Sequence, residues 1–581
     1  MIRLRKHAWH RTFIVLTALV SMLLVTSSCG AKPQATPTPT SPARIHHGNV
    51  VIFTPADGLA LTRHKPLSTW DQLVPELVKS LKSKGFTDNA IVTKTSSSLE
   101  DQSQDVQDYV VNLLTPLHLQ QEKIAGNTKK TNSSKQKIDT TNATATNTTI
   151  KKRLQATTLV IAPWANKNGN NNYGDYVSSP TANTAQQVAA PTDSTQSQDS
   201  QSQDNQHTLR AEQRLASALR LAQKAGMHVV MLSHYIQGSQ PDVLFHLSDA
   251  SSIGETQAAT LVQKLALDRA TRENPRYIEV LLPCHNQKNI NTHANNMSEN
   301  NDQAPLDADN MSDTTGSDTA NLKDDFAQQA FAGIWKVLRP YFASGVLRST
   351  SGKLHAHSTE KDWVNVAFDA DAADAVKTEL KNRITRNTHL LTPSPLHVDG
   401  IIALDDQIAW QTAQTLQDFG YEGSAADINP SFTLPDVIGS FIGKRNLIKR
   451  PVPAPRSTQD HMAKNVQEQQ QPKEYDAAQA KKWPAITGYG AYKNIMPNIV
   501  NGKQWMTTIE HRAQIVHDVV ATCDSLNRTG KLAPKITTTS TTLAAGISVP
   551  TVREQLLAVS ATNLKARLID PGYISLADAG L

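Results

Sequence analysis

The chain has 581 residues, with 39% hydrophobic, 5% aromatic and 19% charged side chains. That length supports two or more domains, and the dilute core-forming content excludes one compact globule throughout. Fifty-eight basic against 52 acidic residues leave a net charge of +6, too balanced over this length to imply a nucleic-acid partner, and three cysteines cannot build a disulfide scaffold.

At the N-terminus Arg3, Arg5, Lys6 and Arg11 precede the apolar run 13–25, and Thr26-Ser27-Ser28-Cys29-Gly30 follows it. That order is a signal peptide over residues 1–28. The run is too short for the roughly 20 residues that span a bilayer. Small residues before Cys29 resemble a bacterial lipobox, with Thr26 where such boxes usually carry Leu. Cleavage there would leave a diacylglyceryl-anchored protein on the extracytoplasmic side of the cell membrane. Residues 29–47, rich in Pro and Thr, read as an extended tether.

Beyond the tether, strand-like aliphatic runs alternate with helical spacing. Residues 50–53 predict a strand. Trp70, Leu73, Val74, Leu77, Val78 and Leu81 predict a helix ended by Gly85, with Pro75 awkward inside it unless the helix starts near Val74 or kinks. A strand at 91–93, an apolar helical face from Val106 to Leu114, a strand at 159–161, a helix through Leu215, Leu219 and Ala222 stopped by Gly226, and a strand at 229–232 follow. The alternation resumes with helix 253–267, strand 277–282, helix 326–342, strand 345–348, helix 364–384, strand 400–404, helix 408–420 and strand 485–487. Continuous aliphatic strands joined by helices predict an α/β protein with two doubly wound, Rossmann-like sheets in series. Ligands of such sheets sit beyond the carboxyl ends of the strands. Four polar tracts, 125–156, 165–208, 286–322 and 457–480, lack the apolar residues that would offset the entropy of ordering and read as disordered surface insertions. Lys129, Lys130, Lys135 and Lys137 in the first have no interleaved aromatic to stack on a base.

Several segments in collinear order resemble the xylose and multiple-sugar-binding receptors of sugar ABC transporters: Gly254-Glu255-Thr256-Gln257 opening a helix, residues 398–406 (VDGIIALDD), Ile486-Thr487-Gly488, residues 499–507 (IVNGKQWMT) and residues 568–575 (LIDPGYIS). These receptors belong to the periplasmic binding protein type I class, with the ribose-binding-protein-like fold. The resemblance implies two lobes joined by a three-segment hinge, lobe one at 48–248 and 489–527 and lobe two at 249–488 and 528–581. It further implies a monomeric, non-enzymatic solute-binding lipoprotein that captures a sugar or small polar solute and hands it to an ABC transporter permease, with no cofactor and no metal.

The pocket implied by the resemblance departs from the family pattern. Where members end the fourth strand with Asp-Arg, this chain has Ser233-His234; their Gln-Asp after the Thr-Gly turn is Tyr489-Gly490; an expected Lys is Glu510, and an expected Arg is Thr69. Paired Asn residues fall near Asp325 and Phe326. A hydrogen bond to a charged group is worth roughly 1.5–3 kcal/mol, so losing three without replacement costs about 5–9 kcal/mol. Two readings follow. Either the cleft is rebuilt, with Trp70, Trp410 and Tyr489 as stacking surfaces, Asp249, Asp406 and Glu510 as acceptors, and Ser233, His234 and Trp363 nearby; or capture is lost and the scaffold serves as an envelope or sensory lipoprotein. Asp406 could equally cap a helix, Trp70 and Trp363 could be core, and His234 an ordinary satisfied histidine. A secreted carbohydrate-active enzyme is the outsider, without spacing to support an acid pair.

Other motifs fall short. Residues 439–444 are one residue short of a phosphate loop and run on into Arg445, and Gly488-Tyr489-Gly490 lacks a third glycine. His355-Ala356-His357 has no third ligand nearby. Cys284 and Cys523 fall in different lobes by the resemblance and read as buried thiols.

Overall fold

The computed structural model describes residues 47–56, 66–128, 140–165, 173–178, 199–284, 324–372, 374–386, 394–427, 481–542 and 547–581. Cys29, the tether up to residue 46, and the tracts at 286–322 and 457–480 lie outside the described residues, as does the short phosphate-loop-like segment.

The first sheet has seven strands in the order Thr539–Thr542, Ser548–Arg553, Val243–His246, His228–Leu232, Thr157–Ile161, Asn49–Pro55, Ile91–Ser96. All pairings are parallel except the outermost, between Thr539–Thr542 and Ser548–Arg553. Both faces are covered, which is why its strands read as unbroken aliphatic runs. Val50 and Ile52 pack with helices Trp70–Lys84 and Arg512–Thr529, while Val51 and Phe53 pack with helices Leu99–Thr128 and Asp199–Lys224. The second sheet has four parallel strands in the order Leu347–Ser349, Arg276–Val280, Gly400–Ile402, Ala485–Thr487. In chain order both sheets begin 2-1-3-4, the same winding used twice. Helices Ala250–Lys264 and Asp325–Ser344 cross the second lobe in close contact because Gly254 and Gly333 lack side chains. A Cβ on Gly254 would lie 2.1 Å from the Ala330 carbonyl oxygen.

Most predicted elements stand where periodicity put them, and the exceptions have physical reasons. Helix Trp70–Lys84 continues through Pro75, which lies on the exposed face together with Asp71, so the carbonyl freed by the missing N–H faces water. The single helix expected over 364–384 is instead a short helix, Trp363–Val366, a strand, Ala367–Asp369, and a helix, Ala375–Ile384; the strand is taken up by parallel pairing with Leu282–Cys284. Two tracts expected to be disordered hold ordered structure: helices Leu99–Thr128 and Thr140–Gln155 enter the first, and residues 173–178 and helix Asp199–Lys224 the second. The boundary expected at residue 528 also moves. Strands Thr539–Thr542 and Ser548–Arg553 belong to the first sheet, and the chain leaves it only after Arg553, to pair Leu556–Ser560 antiparallel with Met506–Glu510.

Three segments thus connect the sheets, 247–249, 488–511 and 554–560, the last leaving the first sheet to pair with Met506–Glu510 and not entering the second sheet. Cys284 and Cys523 are buried and unpaired, and burial pushes each thiol up to about 12. Among the described residues no helix is long and apolar enough to cross a membrane.

Candidate functional site

Loops leaving the carboxyl ends of both sheets meet between them. From the first sheet come Ser68, Tyr173, Tyr176, Ser233 and Ser248; from the second come Phe326, Asp405, Asp406 and Tyr489, joined by Gln504, Thr507 and Glu510 of the second crossing. Tyr173, which follows strand Thr157–Ile161, places its ring 4.4 Å from that of Phe326 and 5.8 Å from that of Tyr489. Strand tips of the two sheets therefore face one another.

Glu510 ends strand Met506–Glu510 and is 2% exposed. Its carboxylate accepts from the hydroxyls of Ser68, of Ser248 at 2.5 Å and of Tyr489 at 2.5 Å. Three segments from different parts of the chain are thus tied to one buried charge, each through a charge-assisted bond. Burial, and the Glu510 carboxylate beside it, hold the Tyr489 hydroxyl well above the ordinary tyrosine range.

Asp406 opens helix Asp406–Asp418 and is fully buried. It accepts from Gln504 Nε2 at 2.6 Å, Thr507 Oγ1 at 2.9 Å and the Tyr492 backbone N–H at 3.2 Å. Gly488 is required beside it, because a Cβ there would stand 2.2 Å from Asp406 Oδ1 and 2.5 Å from Gln504 Nε2. Asp405, the N-cap, accepts from the Ile408 N–H at 2.8 Å. Its carboxyl also faces the buried Tyr173 hydroxyl, and Gln504 Oε1 is buried without a partner. Burial pushes Asp405 up to about 7, with the Asp406 charge adding to it, and burial pushes Asp406 up to about 6 against the bonds from Gln504 and Thr507. Carboxyl groups so close cannot both ionise freely in a dry site.

The nominated residues divide into three groups. Asp406, Tyr489 and Glu510 are brought together as described. Trp70 and Ser233 meet through Tyr176: the Trp70 ring lies 4.9 Å from the Tyr176 ring, and the Ser233 hydroxyl donates to the Tyr176 carbonyl. Ser233 takes a left-handed backbone, φ 67°, to turn off the strand, and His234 beside it is half-buried. The other three occupy a helix cap, the second-lobe core and a helix surface. Asp249 is the N-cap of helix Ala250–Lys264 in a capping box with Ser252, and accepts from His246 Nε2 at 2.7 Å. Burial works to raise its pKa, yet the bonds from His246 and the Ser252 N–H bring it down to about 2. Trp363 is buried in the second-lobe core, and Trp410 is half-buried on helix Asp406–Asp418.

Sequence reasoning missed Ser68, Tyr173, Tyr176, Ser248, Asp405 and Gln504. One signal was available: Tyr173 and Tyr176 are the only aromatic residues in the tract 165–208, and a polar insertion has no reason to hold two tyrosines unless they are buried. Trp70 and Tyr489 are expected as stacking surfaces and Glu510 as an acceptor. The rings of Trp70 and Tyr489 lie against Tyr176 and Tyr173 of the segment 173–178, and Glu510 accepts from Ser68, Ser248 and Tyr489. A remaining cavity of about 10 Å³, bordered by Ser68, Glu510, Arg512 and Tyr573, has room for about one water.

No family model matches the sequence, and no curated protein matches it. Among solved structures the chain is similar to an ABC transporter solute binding protein from Clostridium phytofermentans with bound β-D-glucose. Identity is 15%, coverage is 91% of this chain and 99% of that one, and the TM-score is 0.40. A carbohydrate transporter solute binding protein from Chloroflexus aurantiacus, in complex with D-glucose, gives 15%, 91% and 97%, and 0.39. An arabinose binding protein from Geobacillus stearothermophilus gives 9%, 90% and 99%, and 0.38. At these identities and scores the likeness says nothing about a solute.

Proposed function

We propose that the chain is an extracytoplasmic solute-binding protein, not an enzyme, which takes a sugar or small polar solute between its two lobes and closes on it about the three crossings. The observation that carries this reading is the convergence of strand-tip loops from both sheets on the buried carboxyl groups Asp405, Asp406 and Glu510. There Gln504 Oε1 still lacks a partner, and beyond its helix cap Asp405 has only the adjacent Tyr173 hydroxyl. Buried polar atoms without partners are costly, and a solute hydroxyl or amine would relieve them. Delivery to an ABC permease and tethering through a lipid on Cys29 belong to the same proposal; the first rests on the family resemblance and the second on the sequence order at the N-terminus. Labelled fatty acid incorporated by the wild type and lost in Cys29→Ala would support the anchor.

A thermal-shift panel of pentoses, hexoses and cyclitols tests the binding reading. A solute at a thousand times its dissociation constant should add about 4 kcal/mol of stability and be recovered chemically unchanged. One observation favours the second reading, a scaffold kept without capture: Glu510 is already saturated by three hydroxyls of the chain itself. A flat response across the panel at neutral pH would select that reading.

A further inference from the structure

Residues 173–178 touch most of what the two lobes would offer a guest. The Asp175 N–H donates to the Ser68 carbonyl at 2.7 Å, and the Trp70 N–H donates to Asp175 Oδ2 at 3.0 Å. The Tyr176 ring lies against Trp70, its hydroxyl donates to the Thr69 carbonyl at 2.5 Å, and its own carbonyl accepts from Ser233. Val177–Ser178 pairs parallel with Ser248–Asp249 at the first crossing, where the Ser178 hydroxyl donates to the Ser248 carbonyl at 2.9 Å. On the far side Tyr173 lies against Phe326 and Tyr489 of the second lobe. The segment therefore engages both lobes and a crossing at once, through ring faces, backbone hydrogen bonds and a short strand addition. Those are the means by which a sheet-edge site holds an extended peptide.

Resting on the solute-binding reading, we propose that residues 173–178 are a resident occupant of the interlobe site, a built-in peptide that holds the lobes together and that a solute must displace. A ligand shifts such an equilibrium only by its preference for one state, so the affinity of any solute is reduced by the fraction of molecules in which the segment is seated. Tyr173 and Tyr176 act as its anchors, and Gly174 between them takes φ +80°, a turn that lets the two rings reach different lobes.

Hydrogen exchange on the full chain tests this. In Tyr173→Ala/Tyr176→Ala, the Trp70 amide, which donates to Asp175, should exchange at least ~10-fold faster, as local opening rather than global unfolding. Strands Asn49–Pro55 and Gly400–Ile402 should keep wild-type protection, which shows that both lobes remain folded. The free hexapeptide Tyr-Gly-Asp-Tyr-Val-Ser should restore the lost protection. Ser233→Ala, which removes one hydrogen bond, should give the same pattern more weakly and covers the case in which the double variant fails to fold. Unchanged exchange at Trp70 in both variants, or no rescue by the peptide in a folded variant, would overturn the proposal. A parallel thermal-shift arm with D-glucose, D-xylose, L-arabinose and D-ribose separates it from the reading beneath it. Larger shifts in the double variant than in the wild type support displacement. If exchange and rescue behave as expected while no sugar shifts either protein, self-occupancy stands and the sugar reading falls.

Discussion

Glu510 and the Asp405–Asp406 pair lie in the same interlobe space and differ in how completely the chain has answered them. Glu510 collects hydroxyls from Ser68, Ser248 and Tyr489 and binds three distant segments into one knot. Across from it, Asp406 is satisfied, but Asp405 has only its helix cap and the adjacent Tyr173 hydroxyl, and a Gln504 oxygen lacks a donor. A closed network rigidifies, whereas a partly closed one is where a guest or a proton has something to gain. The first region therefore reads as architecture and the second as the remaining capacity of the site.

The largest effect should come from breaking the knot. Glu510→Ala leaves three buried hydroxyls without an acceptor, each costing about 1–3 kcal/mol, so urea unfolding should show a loss of about 3–9 kcal/mol, with Glu510→Gln losing roughly half as much. A loss under about 1 kcal/mol would show that the three bonds are not coupled to folding.

The Asp405 side should respond to pH instead. Both aspartates titrate near 3.8 when exposed and at about 7 and about 6 when folded. Between those limits the folded chain holds protons the unfolded chain has released, so their contribution to stability falls as pH rises from about 4 to about 7. Asp405→Asn keeps the helix cap and removes the charge; at pH 8 it should be more stable than wild type by about 2–4 kcal/mol, with a flatter pH profile. Equal profiles would place the titration elsewhere. Gly488→Ala, which forces a methyl group against Asp406 and Gln504, should cost about 1–3 kcal/mol by overpacking.

The smallest effect belongs to Asp249. Its pKa is lowered, so its contribution is present above pH 3.8 and lost as pH falls through about 2. Asp249→Ala should cost about 1 kcal/mol, the worth of a helix cap, and leave any solute-induced shift in melting temperature unchanged. A lost shift would return Asp249 to the binding site.

Much of the scaffold was legible because buried parallel strands announce themselves. The runs at 50–53, 159–161, 229–232 and 400–402 need apolar residues on both faces, and Gly85 and Gly226 end their helices in the left-handed conformation. The outermost antiparallel pair of the first sheet was not legible. Thr539–Thr542 is mostly exposed and reads TSTT, so only its long-range pairing through Ser548–Arg553 to Val243–His246 makes it part of the first sheet. The site was half legible. Asp406, Tyr489 and Glu510 were found through their motifs, but whether their polar atoms are spent depends on Ser68, Ser248 and Gln504, which carry no local signature. Tyr173 and Tyr176 were hidden by averaging over a polar tract.

The central claim is that two hinged lobes are held shut on their own residues. Electron–electron distance measurement tests it most directly, between spin labels at Lys82 on helix Trp70–Lys84 and Lys377 on helix Ala375–Ile384, both exposed, with Cys29 replaced by Ser. The account predicts one narrow distance population for the wild type without any solute, broadening toward longer distances in Tyr173→Ala/Tyr176→Ala. A broad or two-population distribution in the unliganded wild type would contradict it.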